Sequence, residues 1–225
     1  MAIAFDNATD SGAQNGSPFT FSHTTGNGSN RLLLLFIHNT TGTNDNPSSV
    51  TYDGVAMTQL GTTNGNGWTE SIWYLANPNS GAKTVSVTST NSNFSYCTAI
   101  SFTGCSGVVD NYTTNIQIGS NNSCTMNVSS ATGNVVVDGI IIHSGSHTLS
   151  VTGGQTIELG GLAQPANPAR SVSFLAGAAT TTMSWSWDGT AQTSNQIGCE
   201  IVAAPNVVFT KNIIALQAVN RAATY

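Results

Sequence analysis

Charge is what this chain has least of. Acidic and basic residues make up 7% of its 225 positions, against about a quarter in ordinary soluble domains. Five Lys and Arg stand against ten Asp and Glu, a formal net charge of −5. No basic cluster can follow a phosphate backbone, so nucleic acid is not an expected partner. With little repulsion between molecules, solubility rests on hydroxyls and amides, on turns and on covered edges. Long apolar runs are missing too. The longest, Leu32-Leu33-Leu34-Leu35-Phe36-Ile37, is too short to span a membrane. Helical periodicity is nearly absent, and so is a leader: Met1-Ala2-Ile3-Ala4-Phe5-Asp6 runs straight into strand-like sequence with no basic or long apolar region, which predicts a chain made in the cytoplasm without a signal peptide.

What is present is β-sequence cut by turns. The run 32–37 lies between Gly26-Asn27-Gly28-Ser29-Asn30 and Asn39-Thr40-Thr41-Gly42, and an unbroken apolar run of this length predicts a strand buried on both faces. Residues 19–23 and 83–88 alternate apolar and polar, as half-wet strands do. Asp53-Gly54 between residues 50–52 and 55–58 is the chemistry of a two-residue hairpin with both turn residues at positive φ. That role accounts for Asp53 without catalysis. Further strands are expected at 68–76, 95–103, 124–128, 135–143, 156–159, 171–175, 181–187 and 197–202. Many short strands with turn clusters between them indicate an all-β antiparallel sandwich, jelly-roll-like.

Residues that carry chemistry are scattered. No Gly-x-Ser-x-Gly elbow ties a Ser to a His, and Glu70, Glu158 and Glu200 form no evident acid/base pair in sequence. No catalytic residue, cofactor or metal ligand is assigned. His143 and His147 have helical ligand spacing, but Ser-Gly-Ser between them predicts a strand end and turn that aim the rings apart. Asn44-Asp45-Asn46 is a thin case for calcium. Cys97, Cys105, Cys124 and Cys199 form no Cys-x-x-Cys pair. Buried free thiols are the first expectation and one or two disulfides the alternative. Trp185-Ser186-Trp187 puts two indoles on one strand face, either to cover the core or, with Trp68, to stack on glycan rings.

The series Ser29-Asn30-Arg31-Leu32-Leu33-Leu34, then residues 50–58, then Trp73-Tyr74-Leu75-Ala76-Asn77-Pro78, then Ala99-Ile100-Ser101-Phe102-Thr103-Gly104 resembles a β-sandwich module recurrent in tailed-phage virion proteins and bacterial surface proteins. Cys199-Glu200-Ile201-Val202-Ala203-Ala204-Pro205 is similar to that module's last strand. The resemblance covers residues 2–205, implying a sandwich domain at 1–205 and a C-terminal apolar extension at 206–225. Val207, Val208, Phe209, Ile213, Ile214 and Leu216 make that extension a liability in water unless it is covered. The expectations are an added strand of the protomer's own sheet or an arm on a neighbouring subunit, with a short helix open from 213 to 223. The implied function is a non-enzymatic virion structural protein, a capsid decoration protein or a fibre or tail component. Its expected partners are copies of itself and other virion proteins such as the major capsid protein, with no membrane or nucleic acid. The alternative is a carbohydrate-binding module on a phage or cell surface.

Overall fold

Both faces of residues 32–37 are covered because the strand lies in the second layer of a four-sheet stack. The computed structural model describes residues 2–39, 46–65, 67–89, 95–119, 121–158 and 168–205, and among them every regular element is a strand. The first half holds β1 (Ala4–Asp10), β2 (Phe19–Thr25), β3 (Leu32–Asn39), β4 (Pro47–Tyr52), β5 (Val55–Ala56), β6 (Thr58–Gly65), β7 (Trp68–Ala76), β8 (Gly81–Ser89) and β9 (Ser95–Thr103). The second holds β10 (Cys105–Gln117), β11 (Ser123–Ser129), β12 (Val135–Ile142), β13 (Leu149–Val151), β14 (Thr156–Glu158), β15 (Ala169–Ala176), β16 (Thr180–Trp187) and β17 (Ser194–Ala203).

Each half is a sandwich of antiparallel sheets, and the two have one topology. The inner sheets run β1-β9-β3-β7-β6 and β10-β17-β12-β15-β14; the outer sheets run β2-β8-β4-β5 and β11-β16-β13. Strand for strand these are the same order, with β5 alone lacking a counterpart. The repeat is faintly visible in sequence: Ser71-Ile72-Trp73-Tyr74-Leu75-Ala76 of β7 and Ser171-Val172-Ser173-Phe174-Leu175-Ala176 of β15 occupy equivalent places.

Period-2 side-chain alternation then assigns every face. Leu32, Leu34 and Phe36 of β3 meet Val137, Val172, Ile197, Cys199 and Ile201 of the second inner sheet, one core shared by both halves. Leu33, Leu35 and Ile37 point the other way, onto Val50, Tyr52, Val85 and Val87 of the first outer sheet. In the second half Ile140 and Ile142 pack on Trp185 and Trp187, while Val136 packs on Met126 and Met183. The all-β sandwich expectation holds, and the number of layers is larger than one sandwich has.

The hairpin at Asp53-Gly54 forms as expected, with φ of 51° and 76° and Tyr52 paired to Val55. Sequence patterning misses β6, β10 and β13. The register of β10 shifts between Cys105 and Val109 and again between Asp110 and Thr113, and such bulges erase the alternation by which a strand is recognised. The extension 206–225, with its six apolar candidates, lies outside the described residues. The described chain stops at Pro205, which is exposed.

Candidate functional site

The seam between the two inner sheets changes character along its length. Near Leu32, Phe102 and Ile201 it is apolar, and there the chain crosses from one half to the other at Gly104. Three repeats of the pleat farther along, alternation brings His38, Glu70 and Tyr96 from the first sheet to face Arg170 and Asn195 from the second. Within each sheet the register is continuous: His38 lies between Glu70 and Tyr96, and Ile141 between Arg170 and Asn195. Glu70 and Arg170 thus hold the same place in the repeated halves, with opposite charge type.

All of these side chains are removed from water. Glu70 and Asn195 are 0% exposed, His38 1% and Arg170 4%. His38 Nδ1 comes within 3.4 Å of Glu70 Oε1, yet neither ring nitrogen and neither carboxyl oxygen completes a hydrogen bond. Burial governs both: it holds the Glu70 carboxyl well above its usual range. It also pushes His38 down to about 3, with the Arg170 charge adding to the effect. Burial thus works against the charged form of both groups. Arg170 Nη2 donates to Asp10 Oδ2 at 2.5 Å, and its guanidinium lies 4.1 Å from the centre of the Tyr96 ring. Its Nε and Nη1 are unpartnered, as are both polar atoms of the Asn195 amide. Gly65 makes room for that amide, since a Cβ there would stand 2.7 Å from Asn195 Oδ1.

At the edge of this cluster the half-buried Trp68 stacks on His143, ring centres 4.4 Å apart and planes 13° from parallel. Burial lowers His143 to about 4; the Asn195 amide offsets part of this without reaching hydrogen-bond geometry. His147 is turned elsewhere, its nitrogens 2.7 Å from the Asp188 carbonyl and 2.9 Å from that of Ser144. The two histidines do point apart.

Trp185 and Trp187 are placed inside, 1% and 5% exposed. Of the two roles open to this pair, the core role is the one the structure gives it, and neither ring has a face free to stack on a glycan. Trp185 Nε1 instead donates to Asp138 Oδ2 at 2.7 Å, beside Gln196 Nε2 at 2.7 Å, and the Ser173 hydroxyl donates to Asp138 Oδ1. Asp138 is the carboxylate in Val-Val-Val-Asp-Gly-Ile-Ile-Ile, and an acidic residue inside an apolar run was the available signal for a buried polar network. Glu200 anchors the turn after β11, accepting from Ser130 Oγ, Ala131 N and the side-chain amides of Asn111 and Asn134. Asp53 sits in its hairpin beside Asn79 and Lys83. All four cysteines are free and buried. Among the described residues no group of three or more His, Cys, Asp or Glu side chains is placed to hold a metal ion.

No protein-family model and no curated protein matches this chain. Among solved structures, the crystal structure of the major capsid protein P2 from bacteriophage PM2 is similar to it at 8% identity, covering 92% of this chain and 100% of that one, with a TM-score of 0.31. A score that low establishes neither fold nor function for this chain.

Proposed function

We propose that this protein is a non-enzymatic structural subunit of a virion, a capsid decoration protein or a fibre or tail component, packed with copies of itself and with other virion proteins such as the major capsid protein. The observation that carries this reading is how the chain uses its residues. Two copies of one sandwich are joined face to face by a continuous core, and the apolar sequence of 206–225 follows an exposed Pro205 after the last strand has closed. A charge-poor surface of Ser, Thr, Asn and Gly suits a subunit with most of its neighbours fixed. Val207, Val208, Phe209, Ile213, Ile214 and Leu216 are then the inter-subunit arm, since apolar sequence of this kind needs a cover.

Light scattering and negative-stain images of the full chain and of a chain ending at Pro205 test this. The full chain is expected as a discrete multimer or filament, and the shortened one as a folded monomer. A monomeric full chain that binds no particle overturns the reading; an unfolded shortened chain assigns the extension to the protomer's own core.

A further inference from the structure

We propose that His147 is a proton-operated latch: its charged ring ties the connection 143–148 to the connection 188–193, and loss of the proton frees the Ser144–Ser146 turn. The observation that carries this is one of hydrogen-bond chemistry. His147 Nδ1 lies 2.7 Å from the Asp188 carbonyl oxygen and Nε2 2.9 Å from that of Ser144. A carbonyl oxygen can only accept, and a neutral imidazole carries a single N–H. Both bonds therefore exist together only in the imidazolium. The Asp188 carboxylate supplies the matching charge, 3.8 Å from Nδ1. His147 is 6% exposed, so a bond lost there is not freely replaced by water.

The neutral ring keeps one bond, and its surroundings choose which. Asp188 Oδ1 accepts from the Thr148 N–H at 2.7 Å, which holds the carboxyl below its usual range. An anion thus stays beside Nδ1 and favours the remaining proton on that nitrogen. Nε2 then turns a lone pair toward the Ser144 carbonyl, acceptor against acceptor. Gly145 fits closely over the same nitrogen, with φ of 87° and room for a Cβ only 2.7 Å from Nε2. The far side is held independently of the ring, since Asn122 Nδ2 donates to the Gly189 carbonyl at 2.7 Å and the Trp187 N–H to that of Asn122 at 3.0 Å. The Ser144–Ser146 turn is the side that gives.

Asp188 is the charged group that faces the ring. His143, in the same connection, is turned onto Trp68, and burial lowers it to about 4. The connection 118–122 has no titratable side chain, and β11, β13 and β16 add only the Cys124 thiol, which burial pushes up to about 11. Arg170 is bonded to Asp10, Arg31 to the Gly28 and Pro78 carbonyls, and Lys83 lies beside Asp53. The connection 40–46, the counterpart of 143–148 in the first half, contains no histidine, so pH acts on one half alone. It acts at the end where β17 begins, whereas Pro205 lies beyond the other end of that strand. Ser144 directly follows His143, so the turn that is freed adjoins the Trp68 stack at the polar rim of the seam. This inference does not depend on the virion reading.

Hydrogen exchange of the full chain tests this, read by mass spectrometry in steps from about pH 5 to about pH 8 and corrected for the intrinsic base-catalysed rise. Peptides covering 143–148 are expected to exchange roughly tenfold faster once the ring is neutral, those covering 188–193 less so, and those of β3 and β12 not at all. His147→Gln has no charge to lose and is expected to show the faster rate at every pH. Asp188→Asn keeps the carbonyl but removes the carboxylate, and should move the transition to lower pH. Asp138→Asn should leave it in place, which separates the latch from the buried carboxylate that titrates at about 6. Two results overturn the proposal: corrected exchange over 143–148 that does not change with pH, or a change of the same size and midpoint in His147→Gln.

Discussion

Asp138 shows what a single buried carboxylate does when its partners are complete. Three donors, from Ser173, Trp185 and Gln196, converge on it in the space between the second inner and outer sheets. Removing it in Asp138→Ala takes the acceptor from the Ser173 hydroxyl and the Trp185 N–H and leaves Gln196 Nε2 only the Met183 carbonyl, and the expected loss is about 3–5 kcal/mol in urea unfolding. Its pH dependence has a definite sign. Burial raises Asp138 from 3.8 to about 6, against the pull of its hydrogen bonds. Between those values the folded state holds more protons than the unfolded one, so stability falls as pH rises through the window, by up to about 3 kcal/mol. Asp138→Asn should flatten that slope. Glu200 behaves in the opposite way. Burial pushes its carboxyl up, but the donors of Asn134, Ser130, Ala131 and Asn111 outweigh this and leave it below 4.5. Its contribution is present above the unfolded value and is lost as pH falls through the folded one. Glu200→Gln should therefore lose stability at neutral pH and little in acid, as measured by the same unfolding series.

At the scale of elements, the central strands β3 and β12 face each other across the seam and fit by unequal side chains. They are equivalent in the repeat, and where β3 has Phe36, β12 has Gly139: Leu32 pairs with Phe102 and Val135 with Ile201, and the same step along each strand reaches these two residues. A Cβ at Gly139 would stand 2.7 Å from Phe36 Cδ1, in a seam where Phe36 is 0% exposed. The ring of one half fills the gap left by the other. Gly139→Ala is expected to destabilise by about 1–3 kcal/mol through overpacking. Adding Phe36→Leu should recover part of that loss, so a double-mutant cycle should show coupling of at least about 0.5 kcal/mol. Independent effects would mean the two strands do not touch in this way.

The whole molecule has a core shared by both halves, and that predicts how it unfolds. Cys97 lies between the sheets of the first half, Cys105 and Cys199 in the seam, and Cys124 between the sheets of the second half. Burial raises all four thiols above their ordinary range, so none reacts readily while folded. If the seam makes the halves one cooperative unit, all four should become reactive to a thiol reagent together, at one urea midpoint that matches the loss of β-structure. Earlier reaction of Cys97 or Cys124 alone would show that one half opens independently.

Most strands were legible because their causes are local. Alternation marks β2, β8 and β16, the Asp-Gly turn marks the hairpin of β4 and β5, and the unbroken apolar run of β3 can persist only where both faces are dry. From composition and pattern alone the chain was bound to be antiparallel, all-β, poor in charge and built around a central strand buried on both faces. The tertiary structure decided the rest, for reasons that no local pattern contains. A strand buried on both faces does not say what buries each face, and only the stacking of two like sandwiches makes Phe36 and Gly139 neighbours. Residues such as His38, Glu70, Arg170 and Asn195 come from strands far apart in sequence. The face each side chain takes follows from strand register, but their meeting at one end of one seam follows from the pairing of the halves. Likewise the same alternation that puts Trp185 and Trp187 on one face leaves open whether that face is wet. The packing of the second outer sheet on β12 closes it, with Asp138 as the partner that a buried indole N–H requires.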